Sequence, residues 1–274
     1  MLRFKIPVDE LRELYLTQNL STYKISLLYN CNRQTISNYL TIHNIPHKTK
    51  AQAQLRYYNR NVFDGSLEDK AYLIGFRLGD LNVYKPKGSS ETIVARCHST
   101  SIDQVILIEE IFSRYGKVKV SESDNGYTIN CYLNLSFEFL LEKQDIITEW
   151  ITLSDLTMWA FIAGYIDAEG CFQINQGRGR FAVTACDKNI LSAIHIFLVK
   201  FGLTSIYRKV ANQGEKSIGN YLFSNDVWRI NINEANSLCQ FIHMITPYIK
   251  HRKRLKDMNI VLKNIMLRNR KGTI

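Results

Sequence analysis

Asp80 and Glu169 each close a ten-residue stretch in which a small residue recurs at every fourth position. The stretches are Ala71–Asp80 (AYLIGFRLGD), with Ala71, Gly75 and Gly79, and Ala160–Glu169 (AFIAGYIDAE), with Ala160, Gly164 and Ala168; they lie 89 positions apart. On a helix, positions i, i+4 and i+8 form one ridge. A ridge without bulk lets two backbones approach more closely than the usual interaxial distance of about 8–10 Å. Packed ridge on ridge, the helices would bring both carboxylates to one end of the pair. There each acid opposes its helix macrodipole by roughly 0.3–1 kcal/mol when exposed, and the two repel, which favours protonation of one. The ordinary alternative is that each acid merely caps its helix or pairs with a nearby Arg.

Helices that carry such a pair need a scaffold, and the 274-residue chain is long enough to bury a full core in one large or two to three small domains. Its 46% hydrophobic and 22% charged residues are ordinary for a soluble protein. No segment reads as a signal peptide, and the longest apolar stretch, Leu156–Ile166, is too short to span a bilayer. Six scattered cysteines without a C-x-x-C pair support neither a zinc site nor a disulfide framework, so a cytoplasmic setting is expected, in a bacterial, phage-like or organellar context. The net charge of +10 is uneven: residues 1–60 carry nine Lys/Arg against three Asp/Glu, residues 246–274 nine against one, and residues 61–245 seventeen against twenty-one. Basic ends on a balanced body suggest arms that follow a polyanion; the alternative is two solvated faces.

At the N-terminus, residues 9–18 space Leu11, Leu14 and Tyr15 as a helix. Ser21 suits the cap of a second helix with Ile25 and Leu28 inward, Asn30 the left-handed residue of a tight turn, and Asn32 the cap of a third helix with Ile36, Tyr39 and Leu40 inward. Ser21–Leu40 resembles the helix-turn-helix family. That likeness implies that the third helix enters the major groove and offers Arg33, Gln34, Ser37 and Asn38 to base edges. A three-helix module for protein contact is the alternative. The stretch from His47 to Arg60, with Lys48 and Lys50 and no acid, suits a linker lying along phosphates.

Similarity between the halves continues past the opening motif. RYG at 114–116 and KFG at 200–202 each close an amphipathic helix. Strand-like segments precede these helices (Glu91–Thr100; Cys171–Asn175 and Phe181–Cys186) and follow them (Lys117–Glu122 and Tyr127–Leu135; Ser205–Val210 and Trp228–Asn233). Each half therefore reads helix, two strands, helix, two strands, helix, and a basic helix over roughly Pro247–Leu267 ends the chain. The expected class is α+β: a pseudo-twofold duplicated α-β-β-α-β-β-α core with two antiparallel sheets behind a small all-α module. Alternation sets Arg96 and His98, Asn130 and Tyr132, Arg180 and Thr184, and Arg229 and Asn231 on wet faces. Such groups can bond base edges in a wide groove. Lys85, Lys87, Lys117 and Lys119 in the first half, and Arg178, Arg208, Lys209 and Lys216 in the second, complete the candidate DNA contacts.

LIGFRLGDL (73–81) and IAGYIDAEG (162–170), with matching elements downstream, resemble the LAGLIDADG homing endonuclease family over roughly residues 65–267. The resemblance implies two sheets forming a saddle over the DNA major groove, and one acid from each motif holding divalent metal, Mg²⁺ or Mn²⁺. Asp80 and Glu169 take those places as catalytic and metal-binding residues. A hard cation would relieve both penalties of the acid pair, and water activated by it can attack a phosphodiester in line. The helix-turn-helix prefix resembles the DNA-binding accessories of mobile-element nucleases. Four departures stand out. Leu81 replaces a Gly, which predicts a distorted exit from the first helix. Leu78 replaces the penultimate acid that the second copy keeps as Asp167. Arg77, unusual on a packed helix, is expected to face DNA or pair with an acid. The basic residues usual after the last strands are missing at Asn134–Ser136 and Asn233–Asn236, with Lys119, Lys209 and Lys216 as substitutes, which leaves a slow, nicking or inactive enzyme open.

The expected organisation is a helix-turn-helix module at 1–46, a basic linker at 47–66, a first half at 67–150 and a second at 151–274. The expected function is a monomeric, site-specific double-strand DNA endonuclease, of intron or other mobile-element type. A DNA-binding regulator on an inactive scaffold and an intron RNA maturase are the alternatives. His43 and His47 stand four apart but flank Pro46, which breaks the helix a metal pair would need. No phosphate-binding loop or nucleophile elbow is present.

Overall fold

A computed structural model of the chain describes residues 6–49, 60–87, 91–217 and 219–272. Lys50 and the rest of the expected linker up to residue 59 lie outside them.

The N-terminal unit comprises α1 (Val8–Arg12), which runs on as a π-helical turn (Glu13–Thr17), α2 (Thr22–Leu28) and α3 (Arg33–Ile42). Ser21 and Asn32 cap α2 and α3 by accepting the amides of Lys24 and Gln34, and Asn30 takes φ 47° in the turn between them. Leu11, Tyr15, Ile25, Ile36, Tyr39, Leu40 and Ile45 form a separate small core. Leu28, expected inward, is 64% exposed. It is the last residue of α2, where the chain turns away before the ridge can reach a partner. The chain stays on this unit as far as Lys48, whose amide donates to the Tyr15 hydroxyl at 3.0 Å.

Residues 60–66 already pack on the larger body: Asn61 donates to the Tyr115 carbonyl at 2.8 Å, and Phe63 lies against Tyr115, Phe137 and Phe139. Ser66 and Asp69 then close a capping box at the start of α4 (Leu67–Gly79). The first half continues with β1 (Asn82–Tyr84), β2 (Thr92–Ser99), α5 (Ile102–Phe112), β3 (Lys117–Ser123), β4 (Gly126–Asn134) and a 3₁₀ turn (Leu135–Leu140). The second half comprises α6 (Glu149–Thr152), α7 (Asp155–Glu169), β5 (Gly170–Asn175), β6 (Arg178–Ala185), α8 (Lys188–Lys200), β7 (Ile206–Ala211), β8 (Val227–Ile232) and α9 (Ala235–Ile245). The basic terminal helix, α10, spans Arg252–Arg270 after a short 3₁₀ turn at Thr246–Tyr248, so it starts later than its charge pattern suggests. The sheets share one antiparallel plan, β1-β2-β4-β3 and β5-β6-β8-β7. In the first half, the helix expected after the last strand is only that 3₁₀ turn, held by Phe137 and Leu140 in the core.

The motif helices α4 and α7 form the centre, and residues 157–167 of α7 are buried without interruption. Two glycines set their approach. A methyl on Gly75 would strike the Phe161 carbonyl oxygen and come within 2.9 Å of the Tyr165 nitrogen. A methyl on Gly164 would strike the Tyr72 carbonyl oxygen and come within 2.9 Å of the Phe76 nitrogen. These contacts exchange under the 89-residue offset, as a twofold axis between the helices requires. The stacked rings Tyr72–Phe76 and Phe161–Tyr165 obey the same offset.

Candidate active site and nucleic-acid face

The exchange of contacts continues to the ends of the motif helices. Gly79 faces the end of α7 so closely that an added methyl would lie 2.5 Å from the Ala168 Cβ and 2.9 Å from Cγ and Oε1 of Glu169. Asp80, the next residue and the C-cap of α4, therefore stands beside Glu169. Burial pushes the Asp80 carboxyl up to about 7, the charge of Glu169 adds to that rise, and the Gln104 hydrogen bond and the charge of Arg254 oppose it. Glu169 is raised by burial and by Asp187, and lowered by Lys143 and Arg254.

The neighbours of the two acids differ. Gln104 of α5 donates Nε2–H to Asp80 Oδ2 at 2.7 Å. On the Glu169 side, Asp187 is engaged by the Tyr165 hydroxyl at 2.8 Å. Gln104, Lys143 and Asp187 lie outside the motif pattern, and Arg254 stands in the sequence only as part of the basic terminal helix. Gln104 had a signal: it is a polar residue on the i, i+4, i+8 ridge with Ile108 and Phe112, and all three are buried. The others are brought in from distant elements.

Asp167 does not line the pair. It is 1% exposed, and its Oδ2 accepts the Tyr72 hydroxyl at 2.6 Å and the amides of Lys250 and His251 at 2.8 and 3.0 Å. It anchors the start of α10. Its counterpart Leu78 is buried in the first half. Arg77 contradicts both expectations for it. It is 7% exposed and donates to the carbonyls of Leu140, at 2.9 Å, and Leu81. It binds the 3₁₀ turn and the α4 exit, whose carbonyls α4 itself cannot satisfy. Leu81 brings no distortion: no residue of that turn takes a positive φ, and the side chain is buried.

A sheet begins just beyond each acid, with β1 starting two residues after Asp80 and β5 directly after Glu169. In the first sheet one row runs Asn82, Arg96, Asn130, Lys119, and the next includes Tyr84, Tyr132 and Lys117; His98 pairs with Thr128 beyond them. Arg96 donates Nε–H to Asn130 Oδ1 at 2.8 Å. In the second sheet Thr184, Arg229 and Arg208 form one row and Ala182 and Asn231 another, with Arg178 and Arg180 on β6. Arg229 donates Nε–H to Thr184 Oγ1 at 2.8 Å. Lys216, in the long β7–β8 connection, lines a hollow of about 740 Å³ with Arg208 and Arg229. Lys209 departs from expectation. As the strand neighbour of Arg208 it projects from the opposite face, paired with Asp226 at 2.7 Å and lying over the Trp228 ring. Lys85 and Lys87 are exposed between β1 and β2.

On α3, Arg33, Gln34 and Asn38 are exposed and Ser37 half-buried; Gln34 donates to Asn38 at 3.0 Å, and Arg33 to Thr22 at 3.1 Å. Lys48 is no free linker cation: its ammonium sits on Asn19 Oδ1 at 2.5 Å and over the Tyr15 ring.

Among the described residues, no group of three or more His, Cys, Asp or Glu side chains could hold a metal ion. Asp80 and Glu169 alone supply two hard oxygen donors, each destabilised as a charged group by burial. That set fits a cation such as Mg²⁺, which takes one or two carboxylates and completes its shell with water and phosphate oxygens.

A family model described as a LAGLIDADG-like domain matches residues 157–246. No curated protein matches the chain in sequence. Solved structures similar to it include I-DmoI in complex with DNA and Mn (20% identity, 65% of this chain and 96% of that one, TM-score 0.45). Others are I-WcaI bound to its DNA recognition sequence (16% identity, 67% and 83%, TM-score 0.47) and the LAGLIDADG meganuclease I-AabMI bound to uncleaved DNA (13% identity, 73% and 91%, TM-score 0.47). The second half therefore matches a LAGLIDADG-like domain over residues 157–246, and the first half repeats its strand order.

Proposed function

We propose that this protein is a monomeric, site-specific double-strand DNA endonuclease that depends on a divalent metal ion. The observation that carries the reading is the meeting of Asp80 and Glu169 at the shared end of two helices with their small faces together. A pure binding protein gains nothing from a buried, repelling carboxylate pair. In this reading Asp80 and Glu169 hold the cation, which when bound activates water and stabilises charge on the scissile phosphate. Gln104 fixes the rotamer of Asp80 through its 2.7 Å hydrogen bond. The rows built on Arg96, Asn130 and Lys119, and on Thr184, Arg229 and Arg208, supply phosphate and base-edge contacts on either side. Helix α3 adds a separate DNA contact through Arg33, Gln34, Ser37 and Asn38. Nothing in the fold favours the RNA-binding alternative.

The test is cleavage of a randomised duplex library in Mg²⁺. Asp80→Asn and Glu169→Gln are expected to abolish cutting while duplex binding persists; if both variants still cut, the assignment of the acids is wrong.

A further inference from the structure

The first turn of α10 is fastened to both halves of the core. The amides of Lys250 and His251 bond Asp167 on α7 at 2.8 and 3.0 Å. The Lys250 ammonium reaches Asp69 on α4 at 2.8 Å, and Arg252 pairs with Glu110 on α5. Arg254 rides on this fixed turn. Its Nε–H donates to the Ile166 carbonyl at 3.3 Å, three residues before Glu169. A guanidinium there meets the negative end of the α7 dipole. Among the described residues it is in no direct ion pair, so its charge is left to the cluster around it. That charge acts on Asp80, Asp167 and Glu169 together.

We propose that Arg254 is the resident counter-cation of the acid pair, a positioning residue that holds the repelling carboxylates of Asp80 and Glu169 together and competes with a divalent cation for them. The proposal rests on the reading of that pair as a divalent-cation site. Lys143, which follows the last strand of the first half, lowers Glu169, whereas the charge of Arg254, on the last helix, lowers both acids.

The experiment is a titration of the full-length protein with Mn²⁺ alone at pH 8.5, following free Mn²⁺ by electron paramagnetic resonance. Asp80→Asn and Glu169→Gln serve as controls that weaken binding. Arg254→Met is expected to bind Mn²⁺ more tightly, on the order of tenfold, because one nearby positive charge is gone. Arg254→Lys keeps the charge and is expected to stay within about twofold of the wild type. A residue that merely anchored the helix would lower thermal stability and leave Mn²⁺ affinity alone. If Arg254→Met does not fold, Arg254→Gln carries the same expectation. Wild-type Mn²⁺ binding that both acid variants weaken, combined with unchanged or weaker binding on loss of Arg254, overturns the inference alone. Equal tightening in Arg254→Lys also overturns it. Absence of Mn²⁺ binding, or binding indifferent to both acids, overturns the reading of the site and this inference with it.

Discussion

Asp80 makes the metal-free protein less stable as pH rises, and Asp80→Asn isolates that effect. Burial first, and the charge of Glu169 second, move its carboxyl from 3.8 to about 7. The folded chain therefore keeps the Asp80 proton to higher pH than the unfolded chain does. Between these two values the folded state binds more protons, so stability falls as pH rises, and the loss is complete above about pH 7. At 1.36 kcal/mol per tenfold, the full change corresponds to about 4 kcal/mol; solvent screening of a partly exposed group reduces the expected effect to roughly 2 kcal/mol. Urea unfolding at pH 4 and pH 8.5 in chelator, on wild type and Asp80→Asn, reads the quantity directly. Acid-side losses from other carboxylates, such as Asp69 with its depressed pKa, are common to both proteins and cancel in the difference. The wild type should lose about 2 kcal/mol relative to the variant over this range. Parallel profiles for the two proteins would refute the claim that Asp80 is a buried acid beside a second negative charge.

Gly164→Ala should destabilise the fold by roughly 3 kcal/mol in urea unfolding, because the new methyl strikes backbone that cannot yield. The helix-propensity gain of about 1 kcal/mol does not offset it. Gly79→Ala, whose nearest neighbours are side-chain atoms of Ala168 and Glu169, should cost less. Asp167→Ala leaves three donors facing a hole and should cost about 3–5 kcal/mol, while Asp167→Asn keeps an acceptor and should cost clearly less, by the same measurement.

Local rules were enough to read much of this protein from its residues. The 89-residue repeat of small residues, the strand alternation and the caps at Ser21 and Asn32 are written in side-chain periodicity and short-range hydrogen bonding, and the helices and sheets formed accordingly. Leu28 and Lys209 show where that reading stops. Where an element ends, and which face of a strand a lone lysine takes, depend on register with neighbours far along the chain. The acid pair was visible as two motif ends, but its environment was not. Gln104, Arg254, Lys143 and Asp187 reach it from separate elements, and Asp167, whose motif position resembles that of a site residue, was drawn away to anchor α10. Spacing along a helix determines which side chains share a ridge; only the packing of α5, α10 and the segments carrying Lys143 and Asp187 around the ends of the motif helices decides which charges those acids meet, because burial and Coulomb interactions act across space and ignore distance along the chain.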